Sequence, residues 1–175
     1  KLSKRLLKVV EKRSAKLSDW NLCVSEHDLR LGVRYGLLKE ENTSIIHAGV
    51  DLDAHARDSG KGLELRRELN IPEDAPVTST IACLKPQKAP LDFVRFARRV
   101  KELVPKAHFI YVGDGDLKEE LLEEIQCSQN LQDCFHFLGW TDRVVDVLSA
   151  SNVFALLSLW EGLPRAIIEA RAAEL

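Results

Sequence analysis

The second half of the sequence alternates short apolar runs with longer amphipathic runs, and this alternation restricts the possible folds more than any other feature. The apolar runs have the length and residue types of strands, and each precedes a run with helical periodicity. Strands that alternate with helices of ten or more residues predict βαβ units and a parallel sheet. Right-handed crossovers then place the helices on the faces of that sheet. We therefore predict an α/β fold, with strands at 77–84, 108–113, 134–139 and 153–158.

Two details of this region concern the edges of the predicted sheet. His136 interrupts the apolar run at 134–139, which is typical of an edge or half-exposed strand. The last helical run reaches Leu175 with no strand after it, and a parallel sheet rarely stops on an uncovered edge. We therefore expect residues of this fold beyond Leu175, and the start at Lys1 without any Met indicates a partial chain.

The first 76 residues are less regular. Residues 1–16 predict an amphipathic helix with seven Lys or Arg and one Glu, a net charge of +6, so that the remainder carries −8. Such a helix can lie on an anionic membrane. Alternatively, it can pack its apolar side on the protein and keep its basic side in water, which is the interpretation that we favour.

The pattern of residues 20–50 predicts a strand, a helix and a second strand. Residues 53–77, rich in Gly and Pro, indicate a connector around one short helix at 63–70.

Composition excludes several classes of protein. With 25 Lys and Arg against 27 Asp and Glu in 175 residues, the formal charge is −2, which argues against a nucleic-acid partner. No apolar run is long enough for a membrane-spanning helix, and no secretory signal is present. The cysteines show no CxxC or other metal-type spacing, so we predict free, mostly buried thiols and a cytoplasmic protein. They are Cys23, Cys83, Cys127 and Cys134.

Ligands of open α/β sheets bind at the carboxyl ends of the strands, near helix N-termini, so the loops after the strands are the candidate sites. Lys85 and Lys88 lie in the first of these loops. Two ammonium groups beside a helix N-terminus can hold a diphosphate. Ordinary surface lysines in a solvated loop are the alternative.

The next two loops are less specific. Gly113 and Gly115 in VGDGDL permit a close backbone approach to a ligand, or a tight turn whose Asp caps the next helix. GDGDL falls short of the GxGxxG dinucleotide pattern. Trp140 follows the third strand and either borders a nucleobase or covers the core. Thr141 and Asp142 are candidate N-caps of the following helix.

The stretch SLWEGLPRAIIEA is the most informative. Pro164 suits the first turn of a helix, which places Glu161 at the mouth of the turn and Glu169 on the second turn. Backbone N–H groups near Gly162 and Leu163 can bind oxygens of a sugar or phosphate. Each of the two carboxylates can accept hydrogen bonds from a pair of sugar hydroxyls. The alternative is a purely structural role, in which an acidic residue lies near the positive end of the helix and the second Glu lies on a solvated helix face.

The combination of these loops resembles one family. EGLPRAIIE, from Glu161 to Glu169, matches the E-x7-E motif of the retaining glycosyltransferases of family 4, also called group 1. IACLKPQKAP resembles that family's phosphate loop, and SIIHAGVDL, VGDGDL and FLGW are similar to family segments in the same order. The resemblance extends from about Asn21 to Leu175, and five motifs in order make it specific.

The resemblance implies the GT-B fold, two Rossmann-like domains that face each other across a cleft. Residues 53–175 would be most of the C-terminal nucleotide-sugar donor domain, truncated at its end. Residues 1–52 would be the closing part of the N-terminal, acceptor-side domain.

The resemblance also implies roles for single residues. Lys88 would hold the donor diphosphate, Glu169 would grip the nucleotide ribose, and Glu161 would lie by the donor sugar. The amides from Gly162 to Arg165 would line the turn over the transferred sugar and phosphate. Lys88 and Glu161 are the predicted catalytic residues, and the predicted donor-binding residues are Lys88, Gly113, Trp140, Glu161, Gly162, Leu163, Arg165 and Glu169.

Cys83 and Glu174 depart from the family pattern. The pattern GRLxxxKG has an arginine five residues before the lysine, where this chain has Cys83, and Lys85 starts two residues later. At the end of the last helix, Glu174 stands where a glycine is common.

The implied activity is transfer of a sugar, with retained configuration, from a UDP- or GDP-sugar to a glycan or lipid-linked acceptor in cell-envelope polysaccharide synthesis. No metal or other cofactor is expected, and peripheral contact with the inner face of the membrane is an open alternative to a purely cytoplasmic protein. A non-catalytic nucleotide-sugar-binding or assembly module of the same fold is the alternative that Cys83 and Glu174 favour. The E-x7-E motif argues against a GT-B epimerase, and the absence of GxGxxG in the first βα turn argues against a Rossmann dehydrogenase.

Overall fold

A computed structural model of the chain describes the backbone of residues 2–175 and the side chains of residues 6–175. Of the predicted first helix, Lys1 lies outside the described residues. The helices are α1 (Leu2–Leu17), α2 (Glu26–Arg34), α3 (Ser59–Glu68), α4 (Pro90–Leu103), α5 (Lys118–Cys127), α6 (Val144–Ala150) and α7 (Arg165–Ala172). The strands are β1 (Asn21–Cys23), β2 (Thr43–Ile45), β3 (Val77–Ile81), β4 (His108–Val112), β5 (Phe135–Gly139) and β6 (Val153–Phe154). Every predicted strand and helix is therefore present.

The described chain divides into two compact units. The first comprises the residues up to Gly49 together with Glu161–Pro164, and the second comprises Val50–Trp160 and Arg165–Leu175. In the first unit, β1 and β2 pair in parallel through the crossover helix α2. Ser25 caps α2, because its hydroxyl oxygen accepts a hydrogen bond from the Asp28 backbone N–H at 3.1 Å. The strand–helix–strand prediction for this region is confirmed.

The large apolar side chains of α1 among residues 6–17 do not pack on the protein. Each of them is more than half exposed to solvent. The interpretation of α1 as a helix packed on the protein is therefore wrong for these residues, which are Leu6, Leu7, Val9, Val10 and Leu17. The Lys8 ammonium of α1 lies above the Tyr35 ring, 4.3 Å from its centroid.

The second unit is built on a parallel sheet of four strands in the order β5-β4-β3-β6, which confirms the predicted sheet. The edge position of β5 also confirms the interpretation of the run that contains His136. β6 is shorter than the predicted run at 153–158, because its pairing with β3 stops at Phe154. The chain beyond Phe154 leaves the sheet and forms the loop before α7.

Helices cover both faces of this sheet, and β4 shows why. Successive side chains of a strand point to opposite faces, and all five residues of β4 are buried. Phe109 and Tyr111 belong to one core cluster, which contains Phe93 of α4. Ile110 and Val112 belong to the other, which α3 and α6 cover. A central strand buried on both faces is typical of a doubly covered parallel sheet.

The segment before β3 is part of the core rather than a connector. Asp58 caps α3 by accepting from the N–H groups of Gly60 and Lys61, so the helix begins earlier than the predicted 63–70. Gly62 lets α3 approach α6, because a Cβ there would lie 2.6 Å from the Ser149 carbonyl. Of the glycines that suggested a connector, Gly60 thus takes part in a helix cap and Gly62 permits a close contact between helices. The sequence alone does not distinguish these roles from that of a glycine in a loop.

Arg66 connects α3 to the rest of the second unit. The side chain is buried, and its guanidinium donates to five oxygens from other segments. Four are backbone carbonyls and one is a side-chain amide oxygen that also accepts from the Val77 backbone N–H. The acceptors are the carbonyls of Pro72, Glu73, Ala75 and Ala150 and Oδ1 of Asn152.

Two histidines form a pair in the neighbouring strands β4 and β5. The His108 and His136 rings stack with centroids 5.4 Å apart, and His108 Nδ1 lies 3.1 Å from His136 Nε2. One nitrogen must donate and the other accept, so the contact tolerates only one hydrogen between them. Burial, followed by the His108 charge, lowers the pKa of His136 to about 4. Burial and the Lys101 and Arg66 charges lower the pKa of His108.

This pair predicts acid-sensitive stability. The unfolded chain protonates a histidine near its ordinary pKa of about 6.5, whereas folded His136 protonates only near about 4, so the unfolded state binds more protons between these values. We expect the free energy of unfolding to fall as the pH decreases from about 6.5 to about 4, and urea titrations across this range measure it. His136→Gln should flatten the decrease, while His27→Gln, at an exposed position of α2, should not. An unchanged pH profile in His136→Gln would contradict the prediction.

Among residues 2–175, no helix is long and apolar enough to cross a membrane. All four cysteines are free thiols, as predicted. Cys23 and Cys134 are buried, but Cys83 and Cys127 are exposed, so "mostly buried" holds for two of the four.

Candidate functional site

The loop between β3 and α4 carries the predicted phosphate-binding lysines. A short 3-10 helix, Pro86–Lys88, leads into Pro90, the first residue of α4. Lys85 is exposed and Lys88 half-buried. The first turn of α4 has no side-chain cap at Ala89, and the N–H groups of Asp92 and Phe93 donate instead to the Ala89 carbonyl. The loop therefore combines two ammonium groups with the positive end of a 14-residue helix.

Ala89, at the last glycine of the pattern GRLxxxKG, and Glu174, where a glycine is also common, both have left-handed backbone in this chain. Ala89 has φ 48° and Glu174 has φ 63°, conformations that glycine adopts without penalty and other residues adopt at a cost of about 1 kcal/mol. Ala89 directly follows Lys88 and turns the chain into α4. The left-handed backbone thus explains why the family has glycine at these two positions. This chain keeps the same backbone conformation with Ala89 and Glu174 in their place.

The loop between β6 and α7 is joined to the lysine loop by two hydrogen bonds. The Leu159 backbone N–H donates to the Gln87 carbonyl, and the Gln87 side-chain amide donates to the Trp160 carbonyl, both at 2.8 Å. Gln87, next to Lys88 in the sequence, is therefore hydrogen-bonded to Trp160, next to Glu161. Gln87 was not among the predicted site residues, and nothing in its local sequence indicates a partner more than 70 positions away.

The predicted residues of the E-x7-E segment separate between the two units. Glu161, Gly162 and Leu163 group with the first unit, in which Gly162 lies against α2. A Cβ on Gly162 would lie 2.9 Å from a carboxylate oxygen of Asp28. Arg165 and Glu169 belong to the second unit, on α7.

Glu169 sits in a largely enclosed position. Its side chain is 13 % exposed, with Arg165 Nη2 3.6 Å and His55 Nε2 3.9 Å from Oε1. His55 lies in the turn before α3, and its own side chain is 21 % exposed. His55 is a second residue that sequence reasoning missed, because it belongs to a segment interpreted as a connector.

A side chain on either of the two glycines after β4 would collide with the backbone that follows β3. Gly113 has φ 148°, and a Cβ there would lie 1.9 Å from the Ala82 carbonyl oxygen. Gly115 has φ 150°, and its Cβ would lie 2.6 Å from the Leu84 carbonyl oxygen. Neither Asp caps α5, because the position before it is Leu117 without a side-chain cap. The capping prediction is therefore wrong, and the role of Gly113 in donor binding stays a prediction.

Trp140 is 76 % exposed, so the interpretation that it covers the core is wrong. Its role beside a nucleobase stays a prediction. The N-cap prediction for the next helix is also wrong, since Arg143 occupies that position without a side-chain cap. Thr141 instead accepts a hydrogen bond from the Arg143 backbone N–H at 3.1 Å, which closes a turn before α6.

Within the described part of the chain, no three His, Cys, Asp or Glu side chains cluster as a metal site would require. The expected absence of a cofactor stays a prediction.

Residues 63–175, which include the lysine loop and α7, match the family model described as glycosyl transferases group 1. The chain belongs to the group 1 glycosyltransferase family. It is 34 % identical over 174 residues to an Escherichia coli UDP-Gal:alpha-D-GlcNAc-diphosphoundecaprenol alpha-1,3-galactosyltransferase, covering 98 % of this chain and 45 % of that protein. It is 36 % identical over 136 residues to an uncharacterized glycosyltransferase of Methanocaldococcus jannaschii, covering 78 % of this chain and 33 % of that one.

The fold is also similar to that of a solved structure. Anabaena HepE in complex with UDP-glucose superimposes with a TM-score of 0.80 at 20 % identity, covering 94 % of this chain and 46 % of that one. This likeness establishes the GT-B type of fold for the chain. The chain spans less than half the length of these two proteins.

Proposed function

We propose that this chain contributes the nucleotide-sugar site of a retaining glycosyltransferase that acts in polysaccharide synthesis. Residues 53–175 would be most of the donor domain and residues 1–52 the closing part of the acceptor-side domain. A UDP- or GDP-sugar would be the donor, and a glycan or lipid-linked sugar the acceptor. No metal ion would be required.

The observation that carries the proposal is the pair of hydrogen bonds between Gln87 and the chain at Leu159 and Trp160. These bonds hold the loop with Lys88 beside the loop that leads to Glu161, at the edge of the sheet where α/β proteins bind ligands. The matched family supports a sugar-transfer reaction at that edge.

The chemistry would rest on electrostatic stabilisation of the leaving diphosphate. Negative charge develops on the diphosphate as the sugar departs, and donors already in position stabilise that charge without reorganising. Lys88 would supply such a donor, beside the positive end of the α4 helix dipole. Glu169 would bind the ribose, and Glu161 and the amides of Gly162 and Leu163 would contact the sugar.

The acceptor proposal follows the E. coli relative, whose name gives a diphosphoundecaprenol-linked acceptor. A lipid-linked acceptor would be met at a membrane surface. The exposed apolar side chains of α1, together with its basic residues, suit peripheral contact with an anionic surface. We propose a cytoplasmic protein with such contact.

Calorimetry with UDP and GDP tests the proposal. We expect the protein to bind at least one of these nucleotides and its sugar derivatives with a micromolar to millimolar Kd, roughly the range of enzyme substrates. A folded sample that binds neither nucleotide would contradict the proposal.

A non-catalytic binding module is a second candidate, because Cys83 stands where the family pattern has an arginine, and it is exposed at the end of β3. If the site binds diphosphate, Cys83→Arg should increase the affinity for UDP or GDP about tenfold, the effect of one added charge-assisted hydrogen bond. Calorimetry measures the change. Cys127→Arg places the same side chain at another exposed cysteine and should leave the affinity unchanged. No increase in Cys83→Arg would favour the non-catalytic module.

A further inference from the structure

We propose that His55 and Glu169 together bind the hydroxyls of the nucleotide ribose, so that the site selects a ribonucleotide over its 2′-deoxy form. The inference rests on the proposed function, because it takes a nucleotide-sugar as the ligand. It adds a binding residue from outside the E-x7-E segment and from outside the residues that match the family model, which begin at Leu63.

The geometry places the two side chains face to face. His55 Nε2 lies 3.9 Å from Glu169 Oε1, and both side chains are mostly enclosed, with 21 % and 13 % of their surfaces exposed. More than 100 positions separate them in the sequence, so only the fold brings them together. Arg165 Nη2 approaches the same oxygen at 3.6 Å.

The backbone determines which nitrogen of His55 carries the hydrogen. His55 Nδ1 lies 2.8 Å from the Asp51 carbonyl oxygen. A carbonyl only accepts hydrogen bonds, so Nδ1 must donate, and Nε2 of the neutral ring is then an acceptor. The turn itself is held by the Asp51 side chain, which accepts from the N–H groups of Asp53 and Ala54. The acceptor nitrogen is thus held in a defined direction.

Two acceptors that face one another at 3.9 Å are too far apart, and of the wrong type, to bond each other. A ligand with two O–H groups on adjacent carbons satisfies both, one hydroxyl donating to Glu169 and the other to His55. The ribose of a nucleotide carries this arrangement at its 2′ and 3′ positions. A 2′-deoxyribose lacks one hydroxyl and would leave one acceptor unpaired in an enclosed site, which weakens binding.

Calorimetry at pH 8 with UDP, GDP and their 2′-deoxy forms tests the inference. We expect the wild-type protein to prefer the ribonucleotide by at least about tenfold, the effect of one enclosed acceptor left unpaired. His55→Leu should reduce this preference to less than about threefold while its affinity for the deoxynucleotide changes little. His55→Gln places an amide oxygen near the same position and should retain part of the preference.

His47→Leu is the matched control. The His47 ring is exposed and its Nδ1 also contacts a backbone carbonyl, that of Val24 at 3.0 Å. This variant should keep the full preference for the ribonucleotide. A loss of fold alone would weaken both forms equally, so the ratio of the two affinities separates a binding role from a structural one.

The outcomes distinguish the inference from the function on which it rests. Binding of UDP or GDP without a ribose preference, or with a preference that survives in His55→Leu, overturns the role of His55 and leaves the proposed function standing. If His55→Leu does not fold, an unchanged preference in His55→Gln and a complete loss of it in Glu169→Gln overturn it equally. Binding of neither nucleotide by the folded wild type overturns both.

Discussion

Replacing Arg66 with Met should destabilise the second unit by about 3–5 kcal/mol, because it leaves buried acceptors without their donor. The guanidinium donates to the carbonyls of Pro72, Glu73 and Ala75 after α3, of which the Pro72 carbonyl also accepts from the Ala75 backbone N–H. It also donates to Ala150 at the end of α6 and to Asn152 before β6. Burial and the nearby Arg57 lower the pKa of Arg66, yet arginine stays protonated in proteins. Domains have total stabilities of about 5–15 kcal/mol, so a loss of this size approaches unfolding.

The neighbouring Arg67 provides the control for Arg66. Its side chain is 72 % exposed, and its ion pair with Glu73 spans 3.8 Å. Exposed ion pairs contribute about 0–1 kcal/mol, so Arg67→Met should change the free energy of unfolding by less than about 1 kcal/mol. Urea titration followed by circular dichroism compares the two variants. Equal losses in both would show that the acceptors around Arg66 are satisfied in another way.

Replacing Lys88 with Ala should weaken the binding of UDP or GDP at least about tenfold, the second large effect that we expect. The ammonium group would lie next to the start of α4, where it and the helix dipole would act on the same diphosphate. A hydrogen bond to a charged group contributes about 1.5–3 kcal/mol, which corresponds to a factor of roughly ten to a hundred in Kd. Calorimetry of the wild type and the variant measures the change.

Lys106→Ala is the control for Lys88→Ala. Lys106 precedes β4 and forms an exposed ion pair with Asp74 at 2.6 Å, at the opposite ends of the strands. Losing that pair removes the same charge from the protein and should not change the affinity for nucleotide. If Lys88→Ala binds nucleotide as tightly as Lys106→Ala, Lys88 does not hold the diphosphate.

Periodicity was enough to locate every strand and helix of the chain. β4 shows the reason: its five residues are apolar enough to be buried on both faces, and the turns on either side interrupt the pattern. The edge position of β5 was predictable for a related reason, since His136 is more easily accommodated at an edge. Helix limits were less predictable where caps decide them, as at Asp58, which starts α3 four residues before its apolar run.

The candidate site was predictable where residues adjacent in sequence define it. Glu161 and Glu169 were recognisable because a fixed spacing across a loop and a helix start leaves a pattern in the sequence. The environment of Trp140 was not predictable, since a Trp after a strand packs on the core in some folds and is exposed in others. The glycines after β4 were recognised as special, but the carbonyls that require them, those of Ala82 and Leu84, are in the loop after β3.

The amino-acid sequence by itself determined the parallel α/β architecture, the family, the loop that carries Lys88 and the helix that carries Glu169. These follow from local periodicity and from motifs whose residues are close along the chain. Only the tertiary structure brought His55 to Glu169, Gln87 to Trp160 and Arg66 to its five acceptors. The physical reason is that a hydrogen-bonding side chain looks the same in sequence whether its partner is water or a backbone carbonyl far along the chain, and folding alone decides which it meets.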